Sequence, residues 1–379
     1  MNVLVVSGIW PPDVGGPASH APDVAAFLHG RGHHVEVVTT ASTLPEPRDY
    51  PVRWISRTLP KGLIHVRTAL EVARRAAAAD IVYTTGMFGR SAAGSAAARR
   101  PYVVKLTADP AFERARRRRI TGGTVDDFQA LTGDVRIQML RRARDLELRR
   151  AAHVFTPSAY LRELALTWGV GTERVTVLPN PAPLVSPAAS REELRRSFGI
   201  GGDTLAFAGR LTAQKSLDIA LEALVPNENV SLLIAGEGDE RSRLEQRVTE
   251  LGVGSRVRFL GPQPRERVLD LLRAADASIL SSSWENFPHT VVEALAAGTP
   301  VLATATGGVA EVVRDGVNGL LVPVGDPAAL GDAVARYFAD GVLRERLRAS
   351  AVESVADYEP ARIFGRLEET LLRIVDRNG

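Results

Sequence analysis

A chain of 379 residues has room for two domains at roughly 100–200 residues each, and its 45% hydrophobic and 24% charged content excludes a fibrous or disordered protein. The absence of cysteine excludes disulfide frameworks, thiolate metal sites and cysteine nucleophiles. The formal charge of +3 hides an asymmetry: residues 1–180 carry 25 Lys+Arg against 16 Asp+Glu, and residues 181–379 carry 22 against 28, so the first half favours anionic partners.

The opening run, MNVLVVSGIWPP, has no basic leader and soon meets two prolines. It reads as a first buried strand and not as a signal peptide, which makes the cytoplasm the expected location. No stretch reaches the 18 or so uncharged apolar residues that a membrane span needs. Short aliphatic and β-branched runs follow at 3–6, 35–39, 81–84, 102–106, 153–156 and 175–178, as in strands buried on both faces. Helical patterns lie between them at 18–30, which ends in a glycine cap, and at 63–79. Two clusters of arginine stand out: Arg114, Arg116, Arg117, Arg118 and Arg119, then Arg136, Arg141, Arg142, Arg144, Arg149 and Arg150. The second has acids such as Asp145 and Glu147 beside it and reads equally well as a solvated helix face. The first has no interleaved acid and points to an anionic acceptor or an anionic lipid surface. Nucleic acid is not expected, because no aromatics alternate with the arginines.

After Asn180 the pattern restarts. The seam, Leu178-Pro-Asn-Pro-Ala-Pro-Leu, holds three prolines in five positions and reads as a stiff extended linker. A second set of strands is predicted at 204–208, 230–235, 256–260, 277–280, 300–303 and 319–322, with helices at 217–224, 240–251, 265–274, 290–297 and 327–338. The expectation is therefore an α/β protein with two parallel, Rossmann-like, doubly wound domains, 1–180 and 181–359. A last helix at 360–375 is expected to pack back on the first domain. Open α/β sheets bind ligands beyond the carboxyl ends of their strands, so two sheets facing each other would leave a central cleft.

Four loops at strand ends carry candidate chemistry. Gly209-Arg210 and Lys215 follow strand 204–208; two cations near a helix N-terminus suit a diphosphate. The GxxxxGK[ST] spacing of a P-loop is absent, and two surface cations beside a turn is the plainer alternative. Glu285 lies in the loop after 277–280, and Glu293 on the following helix. Ionised carboxylates are acceptor-only groups matched to vicinal diols; the plainer alternative gives Glu285 a capping role and Glu293 an exposed face, against which stand the apolar neighbours Val291, Val292, Ala294 and Leu295. Gly307-Gly308 follows strand 300–303 and suggests backbone N–H groups open to a ligand. In the first half, Trp10-Pro-Pro-Asp-Val-Gly15-Gly16-Pro lacks a full GxGxxG, so a nicotinamide cofactor is not expected.

Taken together, these loops resemble family 4 retaining glycosyltransferases of GT-B architecture. The resemblance spans nearly the whole chain: Pro11-Pro12 with Gly15-Gly16, Pro157-Ser158, Pro179-Asn180, Gly209-Arg210 with Lys215, Glu285-x7-Glu293, and Gly298-Thr-Pro through Gly307-Gly308 and Glu311. It implies that Arg210 and Lys215 bind the donor diphosphate, that Glu285 holds sugar hydroxyls with backbone help from Asn286 and Phe287, and that Glu293 binds the nucleotide ribose. It also implies that Gly16 lets the first domain approach the phosphates. The chain departs from the family in reading Glu-Asn-Phe for Glu-Gly-Phe and Pro-Asn-Pro for Pro-Asn-Gly. It also lacks the histidine that many relatives carry after the fourth strand; Lys105 and Asp109 stand there as acceptor-side substitutes, although an aspartate so placed is more often a helix cap.

The implied reaction is retaining transfer of a hexose from a UDP- or GDP-linked sugar to a lipid-linked, phosphorylated or small-molecule hydroxyl acceptor. Neither a metal nor a further cofactor is expected. Peripheral attachment to the inner face of the cell membrane through residues 114–119 is the accompanying expectation. The rivals are a nucleotide-sugar epimerase or phosphorylase of the same fold, and a non-catalytic sugar-nucleotide-binding protein.

Overall fold

The structure is a computed structural model that describes residues 1–13, 16–185 and 189–378. The chain divides into two compact units, Met1–Asn180 together with Ala361–Gly379, and Pro181–Pro360.

The first unit holds β1 (Asn2–Ser7), β2 (His34–Ala41), β3 (Val52–Ser56), β4 (Ile81–Thr84), β5 (Tyr102–Lys105), β6 (His153–Thr156) and β7 (Val175–Val177). They form one parallel sheet in the order β3-β2-β1-β4-β5-β6-β7. Because successive strand residues point to opposite faces, alternate side chains enter different cores. Val3 and Val5 join Val35, Val37, Tyr83 and Phe155 on one face. Leu4 and Val6 join Val38, Val82, Val104 and Val154 on the other. Both faces are covered by helices, as an all-parallel sheet requires.

Strand β3 is absent from the sequence prediction. It lies at the sheet edge, only Ile55 among its five residues is buried, and its Arg53 pairs with Glu36 of β2 at 3.1 Å. A one-sided edge strand lacks the continuous apolar run used to find the others. Helix Phe88–Ala98 was also not predicted, since its sequence FGRSAAGSAAA is small rather than amphipathic. Small residues are what its packing demands: a Cβ on Gly94 would fall 2.6 Å from Val72 Cγ1.

The final helix, Pro360–Asn378, belongs from Ala361 onward to the first unit. Ile363, Phe364, Leu367 and Leu371 are buried in the core that contains Val3 and Val5. Glu368 binds His33 at 2.7 Å and Arg31 at 3.2 Å.

The second unit holds β8 (Thr204–Ala208), β9 (Ser231–Ala235), β10 (Val257–Gly261), β11 (Ala277–Leu280), β12 (Val301–Thr304) and β13 (Gly319–Val322), all parallel, in the order β10-β9-β8-β11-β12-β13. Every residue of β8, β11 and β12 is buried. In both sheets the strand order reverses beside the first strand, between β1 and β4 and between β8 and β11. The loops that leave those strands diverge to opposite faces there and open a crevice beyond the strand ends.

Candidate active site

The crevice of the second unit is built from three loops tied to one another. The loop after β8 carries Gly209, Arg210 and Lys215. The loop after β11 carries Ser281 to Phe287. Ser283 N–H donates to Gln214 O at 2.9 Å, Ser281 Oγ to Lys215 O at 3.0 Å, and Gln214 Nε2 to Trp284 O at 2.9 Å. The third loop, after β12, is joined by Thr304 Oγ1 to Ser282 O at 2.7 Å and by Gly308 N–H to Glu285 O at 3.1 Å. A Cβ on Gly307, where φ is +48°, would lie 1.8 Å from Glu285 O, so only glycine lets the third loop come this close. This corrects the sequence reading of Gly307-Gly308: the Gly308 N–H holds another loop and is not open to a ligand.

Within this frame Lys215 Nζ binds Glu285 Oε1 at 2.5 Å. Ser282 Oγ donates to the same oxygen at 2.7 Å. Glu285 is 5% exposed, and a buried carboxylate needs such partners. Both bonds fall on Oε1, so among the described residues Oε2 has no protein donor and remains an acceptor for other hydroxyls. Arg210 is exposed at the mouth of the same loop and, among the described residues, has no side-chain ion pair. Among the described residues, Asn286 Oδ1 is buried without a partner. The Phe287 ring is part of the hydrophobic core, against His289 and Tyr358, which leaves only its backbone for a ligand.

Glu293 sits on helix His289–Ala296 and faces Arg265 Nε at 3.5 Å. Burial raises its carboxyl above the usual range, and the Arg265 charge pulls the other way. Arg265, the first residue of helix Arg265–Ala274, escaped the sequence reading, as did Ser282 and Gln214. No spacing in the chain links Arg265 to Glu293; only the strand order brings them together.

The first-unit candidates fare differently. Gly16 opens helix Gly16–Gly30 after β1, while Gly15 lies outside the described residues. Lys105 and Asp109 are 0% exposed, which corrects their assignment to the acceptor side. Lys105 Nζ donates to Leu178 O. Asp109 caps helix Pro110–Arg117, accepting from Ala111 N–H at 2.8 Å, and pairs with Arg144 at 2.8 Å. Arg144 in turn lies 3.9 Å from the Trp168 ring centroid and binds Asp145. These groups hold the unit together.

The 136–150 cluster is likewise largely engaged: Arg136 pairs with Asp134, and Arg149 donates to Trp168 O. In the 114–119 run, Arg114 pairs with Glu147 at 3.2 Å and Arg116 lies 5.6 Å from the Phe112 ring centroid, while Arg117, Arg118 and Arg119 are exposed. No helix among the described residues is long and apolar enough to cross a membrane.

Two parallel doubly wound units in one chain, the second with a cation–carboxylate cluster at its switch point, define the GT-B class of α/β architecture. Solved structures agree: the chain superposes on HepE of Anabaena in complex with UDP with a TM-score of 0.80 at 22% identity, covering 98% of this chain and 100% of that one. Sucrose-phosphate synthase of Thermosynechococcus elongatus gives 0.78 at 20%, covering both chains fully. Residues 190–353 match the family described as glycosyl transferases group 1, and residues 15–181 match the glycosyl transferase 4-like domain. The two matches together cover most of the chain, which belongs to this glycosyl transferase family.

Among curated relatives, the D-inositol 3-phosphate glycosyltransferase of Nocardia farcinica is 36% identical over 211 residues, covering 52% of this chain and 46% of the relative. An uncharacterised glycosyltransferase of Methanocaldococcus jannaschii is 28% identical over 94% of this chain and 93% of its own. The lipopolysaccharide core biosynthesis glycosyltransferase LpsE of Rhizobium meliloti is 37% identical over 39% of this chain and 43% of the relative. The chain thus spans about half the length of the first and third of these relatives.

Proposed function

We propose that this protein transfers a hexosyl group, with retention of anomeric configuration and without a metal ion, from a nucleotide-diphosphate sugar to a hydroxyl acceptor. The observation that carries the reading is the Lys215–Glu285 pair at the switch point, beside Arg210, which has no ion pair among the described residues. The HepE structures hold UDP and UDP-glucose, which favours a uridine donor over a guanosine one.

In the reaction the bond between the anomeric carbon and the diphosphate oxygen breaks, and a bond to the acceptor hydroxyl forms on the same face. The hydroxyl proton passes to the leaving diphosphate oxygen. Negative charge grows on that diphosphate as the sugar becomes oxocarbenium-like. Arg210 and Lys215 stabilise it, an effect of about 10²–10³ in rate for each such group removed. Lys215 is already oriented by Glu285, so little reorganisation is needed when the donor arrives. Glu285 Oε2 accepts from sugar hydroxyls, and Glu293 from the ribose.

A panel of UDP and GDP sugars screened by thermal shift tests donor binding, since a ligand that binds only the folded state raises the melting temperature. The Lys215→Ala variant leaves the buried Glu285 carboxylate without its cation and is expected to melt below the parent without donor; measured against its own donor-free melting temperature it is expected to lose most of the shift, and to turn over about 10²-fold more slowly or worse. Turnover within a few-fold of the parent would refute the assignment. Chelator is expected to leave the rate unchanged; a rate lost to chelator and restored by a divalent cation would overturn metal independence.

A further inference from the structure

The first unit has its own crevice at the β1/β4 switch point, and its lining is cationic. An open cavity of 730 Å³ lies there, bounded by Gly8 at the end of β1, Met87, Gly89 and Arg90 after β4, and Arg114, Arg117 and Arg118 after β5. Its volume suits a small polar molecule rather than a single ion. Glu147 is the one acid on its wall, and it is bound to Arg114 at 3.2 Å. That leaves three guanidinium groups without a carboxylate partner among the described residues: Arg90, Arg117 and Arg118. Arg117 donates only to the Glu113 carbonyl. Among the described residues Arg90 Nη1 is buried with no hydrogen-bond partner.

A buried, unpaired donor on a charged group is costly unless a ligand completes it. Burial, and then the nearby Arg114 charge, lower the Arg90 pKa. The arginine run is also not one continuous basic face. Arg114, Arg117 and Arg118 are spaced i, i+3, i+4 and turn to the cavity. Arg116 turns instead to the Phe112 ring, and Arg119 does not line the cavity. Three unpaired guanidiniums in a walled crevice match a compact dianion that accepts several charge-assisted hydrogen bonds, which is a phosphate monoester.

We infer that this crevice is a phosphate-monoester subsite, and that the acceptor is a hydroxyl compound carrying such a group. The anion site stands on its own geometry; its role as acceptor subsite rests on the transfer reading above. The phosphate belongs to a soluble polyol phosphate or to a lipid headgroup, and the chemistry at Arg90 and Arg118 is the same for both.

The test uses the full chain and isothermal titration with inorganic phosphate and with glycerol 1-phosphate, each against the neutral or monocarboxylate control, glycerol or acetate. The Arg90→Gln/Arg118→Gln variant is expected to lose at least 10-fold in affinity for both phosphates. Arg116→Gln/Arg119→Gln, in the same run but outside the cavity, is expected to bind as the parent does. The Arg210→Gln variant separates this subsite from the donor site: phosphate binding retained there and lost in the Arg90/Arg118 variant belongs to the first unit, whether or not a sugar nucleotide binds the second. Vesicles containing phosphatidic acid, set against vesicles of phosphatidylglycerol, identify the source. Selective competition with glycerol 1-phosphate by the monoester lipid marks a headgroup, and no competition marks a soluble acceptor. Acetate binding as tightly as phosphate, or equal phosphate affinity in the parent and the Arg90/Arg118 variant, overturns the inference.

Discussion

Single residues in this protein are decided by their neighbours more than by their type. Gly307 is the clearest case: its φ of +48° and the 1.8 Å clearance to Glu285 O leave no room for a methyl group. Gly307→Ala is expected to cost more than about 1 kcal/mol, because both the backbone conformation and the loop contact oppose the side chain. It should also cost activity, since the displaced loop is the one that carries Glu285. Parental melting temperature together with parental turnover would show that the contact is not needed. Lys105 is the opposite case, a charged residue in a fully buried position. Burial first, and the Arg366 charge second, lower its pKa to about 7. Its unfolded value is near 10.5, so between those limits the unfolded chain binds more protons than the folded one, and stability rises with pH. The parent is therefore expected to gain stability relative to Lys105→Met between pH 7 and pH 9.5, by on the order of 1 kcal/mol per pH unit. Urea midpoints that keep a constant difference across that range would contradict it.

At the scale of the element, the helix start after β5 shows how a cap and an ion pair become one structure. Asp109 accepts from Ala111 and Phe112 N–H at 2.8 and 3.3 Å, from Gln129 Nε2 at 2.9 Å and from Arg144 at 2.8 Å. Removing one partner of a buried pair leaves the other charge uncompensated, a loss of about 3–5 kcal/mol. Asp109→Ala is accordingly expected to lower the urea midpoint sharply while leaving donor affinity in any surviving folded fraction unchanged. A mild effect on stability combined with loss of acceptor turnover would restore the acceptor-side role that its burial argues against. The same helix presents Arg114 and Arg117 to the phosphate crevice, so the buried end of the element fixes the position of its exposed end.

At the scale of the whole molecule, the chain returns to its first unit after completing its second. Ile363, Phe364, Leu367 and Leu371 supply buried side chains to the first-unit core. At about 1.5–3 kcal/mol for each, their removal is comparable with the entire stability of a domain, about 5–15 kcal/mol. Deletion of residues 361–379 is expected to give a chain that aggregates or binds a hydrophobic dye on gel filtration. A monomeric, dye-silent truncation would show that the helix is dispensable.

The sequence by itself determined the parallel α/β class, the restart after Asn180 and the loops that carry Arg210, Lys215 and Glu285. Buried strands announce themselves as apolar runs, and turns at strand ends as glycine and proline. It did not determine edge strand β3, whose alternation is too weak, or the fate of charged side chains. Lys105 ends strand β5, and Asp109, Arg114 and Arg118 belong to the helix that follows it; two of these charges are buried supports and two line a cavity. Only the tertiary structure separates them, because whether a charge meets a partner, a carbonyl or open space depends on groups 33–73 positions away in the chain, such as Glu147 for Arg114 and Leu178 for Lys105.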